Sequence, residues 1–404
     1  MPDASDSTPR LPRTVWVLGW VSLLMDVSSE MIHAVLPLFL VEGLSASMLF
    51  VGLMEGAAEG AALMTKVFSG AAADRFGHRK LLVFLGYALG VASKPVFALA
   101  GSPAIVLAAR LGDRIGKGLR GAPRDAMVAD VTPRPLMARA YAVRQALDAA
   151  GAWIGPVLAA LMLWRLGDDA YRTIFAWAVL PGMICLLLIV FGVESKASSA
   201  KPSGGVPKPA GDWSFAWLFE SRAAALRALI AVGFAVSLAR FSSAFLVLQA
   251  SRLGVEAHWI PLVMAGVNAV FSFASYPCAR WGERFGQVRL LAGGLLLLAC
   301  AQIVLAAAEG PAALCAGLAL WGLHMAAMQG TLSTLVSMAA PPERRAGAFG
   351  VFNAASGVGM LVAGLLAGLL WDAFGAQASF AYGAAAAFGA LVLLHRLRGR
   401  MSDD

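Results

Sequence analysis

Charge is what this sequence has least of. Only 14% of its 404 residues are Asp, Glu, Lys or Arg, against roughly 25% in a soluble globular domain. Cysteine is scarce as well. Cys185, Cys278, Cys300 and Cys315 all sit inside apolar runs, and their spacing fits neither a zinc site nor a disulfide framework. They read as small buried hydrophobes. No nucleophile–base or metal-hydrolase spacing occurs, so an enzyme is not expected, nor is a cofactor. No cleavable signal peptide is evident, because the first apolar run is long and carries Asp26 and Glu30.

What is present is apolar. Hydrophobic residues make up 59% of the chain, and the mean hydropathy is +0.73. A spanning helix needs about 20 apolar residues. Twelve such stretches can be placed, near 14–41, 47–72, 80–100, 104–123, 138–163, 172–193, 222–250, 259–280, 288–308, 311–338, 345–370 and 377–395. The expected fold is an all-α membrane protein of twelve transmembrane helices in two six-helix bundles. The composition breaks once, at the polar Ser/Pro/Gly/Lys stretch 195–212. Trp213, Phe215, Trp217 and Phe219 follow, as suits a segment lying at the membrane interface. The expected division is an N-terminal bundle over 1–194, a cytoplasmic linker with its interfacial segment over 195–221, and a C-terminal bundle over 222–404.

A net charge of +8 would suit a nucleic-acid binder if the chain were soluble. Its placement argues for topology instead. With the N-terminus inside, the flanking Lys and Arg fall almost entirely on cytoplasmic loops, from Arg10 and Arg13 through Arg75, Arg79 and Lys80 to Arg396, Arg398 and Arg400. The outer loops hold only Arg165, Arg172 and Arg252. This bias predicts cytoplasmic termini, a multi-pass protein of the inner (cytoplasmic) membrane, and no nucleic-acid partner.

Ionisable residues inside the bilayer are the functional signal, each costing on the order of 2.5–3.5 kcal/mol at a helix centre. Helical periodicity groups them. Asp26, Glu30 and His33 form one stripe on the first helix, and Glu55, Glu59 and Lys66 another on the second. Lys94 on the third helix lies at a depth that allows a pair with Glu55. The fourth carries Arg110, Arg114 and Lys117, with Asp113 able to meet Lys117 at i+4. Arg144 and Asp148 stand at i, i+4 on the fifth. In the C-terminal half Arg240 is essentially alone, beside the neutral Asn268, Gln302, His324, Gln329 and Asn353. Proton coupling is therefore expected in the N-terminal half, with an apolar substrate wall opposite.

One motif carries a resemblance. Gly70, Asp74, Arg75, Gly77, Arg79 and Lys80 form a charged hairpin between two apolar runs. A worn copy at Glu283, Arg284, Gly286 and Arg289 lies 209 residues later. A second echo, Tyr141 with Phe349, is offset by 208. The hairpin resembles the loop between helices 2 and 3 of major facilitator superfamily transporters. The resemblance implies that Gly70, Asp74, Arg75, Gly77 and Arg79 form a conformational latch, in which Asp74, at the inner end of helix 2, contacts the start of helix 11. The segment 111–122 resembles the family's helix-4 motif, whose buried Arg, here Arg114, is tied to proton transfer. Lys117 stands where Gln is common. Gly151, Gly155 and Pro156 resemble the helix-5 antiporter motif, with Ala159 and Ala160 in place of its final glycines, and this implies export.

Two patterns are set aside. Gly116, Gly118 and Gly121 fit a dinucleotide-binding spacing, but inside an apolar helix rather than between a strand and a helix. His324, Met325 and Met328 offer soft ligands for a transition metal, although Met in such a helix is usually packing.

The reading is a monomeric secondary transporter exporting a small organic solute by alternating access, coupled to protons through Asp26, Glu30 and Arg114. The cavity candidates are His33, Glu55, Glu59, Arg110, Asp148, Arg240, Asn268, His324 and Asn353. Transport of a transition metal or its complex is the alternative. The partners are a small-molecule substrate, protons and the lipid bilayer.

Overall fold

The computed structural model describes residues 11–76, 78–167, 169–193, 223–328, 330–341 and 344–401, the side chains of 70–76, 346, 400 and 401 excepted. The linker 195–221, Gln329, Gly77 and the side chains of Gly70, Asp74 and Arg75 therefore lie outside the described residues.

Twelve long helices follow one another: α1 (Arg13–Gly43), α2 (Met48–Phe76), α3 (Arg79–Leu99), α4 (Pro103–Val131), α5 (Met137–Leu166), α6 (Tyr171–Gly192), α7 (Ala224–Arg252), α8 (Pro261–Phe285), α9 (Gln287–Ala306), α10 (Pro311–Ala339), α11 (Arg345–Phe374) and α12 (Ala376–Met401). Local chemistry sets many of the ends. Pro103, Pro261 and Pro311 open helices in the first turn, where a missing N–H costs no bond. Gly167, Gly286 and Gly375 close α5, α8 and α11 at φ +107, +92 and +86. Among the described residues, eleven helices are long and apolar enough to cross a membrane. The exception, α4, was expected as an apolar run. Its buried face carries Arg110, Asp113, Arg114 and Arg120, so its neighbours in the protein, not its hydropathy, hold it in place.

Among the described residues four helices break. α1 breaks after His33, α6 at Ala178, α7 between Ala224–Ala239 and Ala244–Arg252, and α10 at Gly330 (φ +78). Irregular backbone at membrane depth is tolerated where protein or a cavity surrounds it.

Apolar packing treats the two ends of the bundle differently. At the end away from the termini one cluster spans both halves, joining Phe39, Phe97 and Phe175 to Phe245, Trp371 and Phe380. At the termini end each half has its own cluster, Val15, Leu18, Val83 and Ile189 in one and Leu226, Leu229, Leu291 and Val336 in the other. Hydrogen bonds reinforce the far-end contact. Asp372 accepts from the Met48 and Leu49 amides at 3.0 and 2.8 Å, and Ser251 donates to Glu42 at 3.1 Å, all at the far end. The halves also meet where α2 crosses α11, and glycine makes this possible. A Cβ on Gly364 would fall on the Gly52 carbonyl, and one on Gly56 would sit 2.7 Å from the Leu361 Cα.

Gly364→Val should therefore force α2 and α11 apart, at an overpacking cost of about 1–3 kcal/mol. The expected outcome is a lower melting temperature and faster maleimide labelling of a cysteine placed at Ser251. Unchanged labelling in a folded variant would refute this account of the far-end seal.

Candidate functional site

A cavity of about 210 Å³ lies between the halves at mid-depth. The N-terminal half supplies its charged wall. Helical spacing puts Glu30 and His33 of α1 on one face, likewise Glu55 and Glu59 of α2, and Arg110 and Arg114 of α4, and all six line the cavity. Arg110 Nη2 donates to Glu55 Oε2 at 2.8 Å, and Arg114 Nη1 lies 3.3 Å from Glu59 Oε1. Arg110 and Arg114 are 4% and 5% exposed. Such guanidiniums are stable inside a membrane protein only with carboxylates beside them.

Behind this wall sits a second ion pair. Lys94, fully buried, donates to Asp113 Oδ1 at 2.8 Å and to Ser29 Oγ at 3.0 Å. His33 joins the two layers. Its Nε2 is 3.3 Å from Asp113 Oδ2 and its Nδ1 is 3.4 Å from Glu30 Oε1, while Arg114 Nη2 lies 3.1 and 3.3 Å from the ring nitrogens. Glu30, His33, Asp113 and Lys94 thus form a continuous polar chain from the cavity inward. An imidazole between two carboxylates can accept a proton at one nitrogen and release one at the other.

The C-terminal half supplies the opposite wall: Arg240, Phe241, Ser242 and Ser243 at the α7 break, with Met264, Trp321, Met325 and Met360. Ser242 Oγ donates to Glu55 Oε2 at 3.1 Å and so bridges the halves.

Other expected site residues lie elsewhere. Asp26 does not line the cavity. Asp148 belongs to a cluster nearer the termini end, 3.8 Å from Arg124 Nη1 and 3.9 Å from Arg144 Nη1. Arg124 also reaches Ser22 Oγ at 3.0 Å, and Arg144 Nε lies 3.6 Å from Asp125. Asn268 donates to the Ala152 carbonyl at 3.1 Å, a tie between α8 and α5. His324 is fully buried, edge-on to Trp321, and Met328 is buried, so of the three soft ligands only Met325 lines the cavity. Asn353 is half-buried and off the cavity wall. Gly151 and Gly155 admit α1: a Cβ on Gly155 would lie 2.8 Å from Glu30 Cβ. Arg79 pairs with Asp130 at the termini end of α4.

Two expected pairings differ. Glu55 meets Arg110 rather than Lys94, because α4 packs against both α2 and α3, which barely touch each other. Asp113 turns inward to Lys94, whereas Lys117 is exposed. The sequence reading missed Arg124, Asp125, Ser242 and the Phe241–Trp321 wall. The α4 stripe that holds Arg110, Arg114 and Lys117 continues to Arg124 at i+7 from Lys117, and following it past residue 123 would have found that residue.

Removing one partner of the buried pair should be costly. Asp113→Ala leaves Lys94 uncompensated and should destabilise the protein by about 3–5 kcal/mol. The double variant Asp113→Ala/Lys94→Met should recover much of that in thermal unfolding. A double variant no more stable than the single one would refute the pairing.

Known proteins were compared with the whole chain. The Major Facilitator Superfamily sequence profile matches residues 18–273 and 229–402. An uncharacterised MFS-type transporter of Methanocaldococcus jannaschii is 28% identical over 398 residues, covering 96% of each chain. An uncharacterised protein of Mycobacterium tuberculosis is 28% identical over 370 residues, covering 89% of this chain and 87% of that one. A peptide transporter (POT) crystallised with sulfate shares the fold at a TM-score of 0.80 and 14% identity, covering 96% of this chain and 95% of that one. The nucleoside transporter NupG does so at 0.76 and 13%, covering 97% and 100%. Twelve helices, two halves sharing one core at one end only, and a charged cavity between them agree with these matches: the chain is a multi-pass transporter and belongs to the Major Facilitator Superfamily.

Proposed function

We propose that the protein couples proton movement to export of a small organic solute by alternating access, as a monomer in the cytoplasmic membrane with both termini in the cytoplasm. The observation that carries the coupling is the state of the cavity carboxylates. Glu55 has Arg110 and Glu59 has Arg114, whereas among the described residues the Glu30 carboxylate has only the His33 ring as a hydrogen-bond or ion-pair partner. Glu30 can therefore take a proton without breaking an ion pair with a cation. Its chain through His33 to Asp113 offers a route along which that change reaches α3 and α4. Asp26, off the cavity wall, yields the coupling role to Glu30.

The Lys and Arg bias of the loops supports the orientation. In that orientation the shared far-end core faces outward, and the cavity belongs to an inward-facing state from which an exporter loads. Export itself is supported by Gly151, Gly155 and Pro156, whose pattern resembles the antiporter motif. Asp74 is the proposed latch of the opposite state.

Proteoliposomes with a trapped pH dye and an imposed pH gradient test this reading. Organic acids, bases, amino acids and nucleosides are added in turn, and the lumenal pH is followed. The wild-type protein and Asp26→Asn should show solute-dependent proton movement, and Glu30→Gln should abolish it. Wild-type proton movement in Glu30→Gln would overturn the assignment. Solute binding without any flux would identify a receptor with a transporter's fold.

A further inference from the structure

The pairing of the cavity charges leaves one base, Arg240, and one acid, Glu30, without an oppositely charged Arg, Lys or carboxylate partner. Its lining acids are Glu30, Glu55 and Glu59, and its lining bases are Arg110, Arg114 and Arg240. Glu55 and Glu59 are taken by Arg110 and Arg114 at 2.8 and 3.3 Å. Asp113, behind the wall, is taken by Lys94 and His33. Among the described residues the Arg240 side chain makes no hydrogen bond or ion pair, and it is half-buried on the cavity wall. Hydrogen-bonding capacity is unbalanced in the same direction. Among the described residues Arg110 Nε and Nη1 and Arg114 Nε are buried without a hydrogen-bond partner. Donors thus outnumber acceptors around one space, and a guanidinium left unpaired at membrane depth is expensive.

We infer that Arg240 receives the anionic group of the transported solute, and that the solute is a small organic acid whose apolar body lies against Phe241 and Trp321. A guanidinium matches a carboxylate or phosphate with two parallel hydrogen bonds. Arg240 sits at the break in α7, on the C-terminal half, opposite the paired charges of α2 and α4. The anion therefore meets a cation that is held in no ion pair, with Glu59 as its longer-range electrostatic neighbour. The body of the solute has its own surface. Phe241 and Trp321 lie 6.0 Å apart between ring centroids, and Met264, Met325 and Met360 complete the apolar side. At about 210 Å³ the cavity is below the 300–1,000 Å³ usual for ligand pockets, so the occupant is compact. A cationic solute would find only Glu30 without a cation partner.

The inference rests on the carrier reading above but is tested by binding alone. Purified protein in lipid nanodiscs is melted with benzoate, benzamide or benzylamine, which share a ring and differ in charge. A ligand that binds the folded state raises the melting temperature. Benzoate should stabilise the wild-type protein more than benzamide, and benzylamine least. Arg240→Gln should lose the advantage of benzoate over benzamide, and Arg240→Lys should keep part of it. Equal shifts for benzoate and benzamide in the wild-type protein would overturn the inference, as would an undiminished advantage in Arg240→Gln. A preference for benzylamine would overturn it while leaving the carrier reading intact. Should Arg240→Gln fail to fold, the wild-type ranking and Arg240→Lys still decide, because a benzoate advantage unaffected by loss of the guanidinium fork counts against a paired contact.

Discussion

A charge inside a bilayer must find an opposite charge or water, and the N-terminal half is built around that requirement. Lys94 and Asp113 are 0% and 1% exposed, and each is the other's compensation. Their pairing fixes α3 against α4. Asp113 then holds His33 of α1, and α4 turns Arg110 and Arg114 toward the α2 glutamates. Removing Asp113 would leave both a lysine and a histidine without their carboxylate. The sparse charge of the sequence is therefore concentrated: the groups that are hardest to bury are buried together, and one edge of the cluster forms the cavity wall.

The C-terminal half follows another rule. Its cavity face is mainly aromatic and thioether, with Arg240, Ser242 and Ser243 as its polar part. Its internal polar ties run from neutral side chains to backbone carbonyls of α7, such as Gln302 to the Ala239 carbonyl at 2.9 Å and Tyr382 to the Leu238 carbonyl at 3.1 Å. The two halves share an apolar core only at the far end, and glycines let α2 and α11 cross there at backbone contact. A shared core at one end with separate cores at the other suits rigid-body rocking, in which the seal exchanges ends.

Much of this was legible in the sequence. Apolar run lengths placed eleven of the twelve helices, α4 being longer and more polar than the run expected over 104–123, and periodicity put Glu30 with His33, Glu55 with Glu59, and Arg110 with Arg114 on shared faces. The i, i+4 pair of Arg144 and Asp148 is present at 3.9 Å. What failed was azimuth between helices. Glu55 and Lys94 were matched by depth on consecutive helices, but α4 packs against both α2 and α3 and takes each residue separately. Asp113 and Lys117 have the right spacing, yet one faces α3 and the other is exposed. Arg240 was visible as a lone charge. That it lines the cavity unpaired needed the α7 break, which no periodicity signals.

The central claim is that Glu30 carries the exchangeable proton of this cavity. Infrared difference spectroscopy of the protein in lipid, recorded on acidification, tests it without knowledge of the substrate. The account predicts a C=O stretching band of a protonated carboxyl that appears in the wild-type protein and in Asp26→Asn and is absent in Glu30→Gln. The same band at full intensity in folded Glu30→Gln would contradict it.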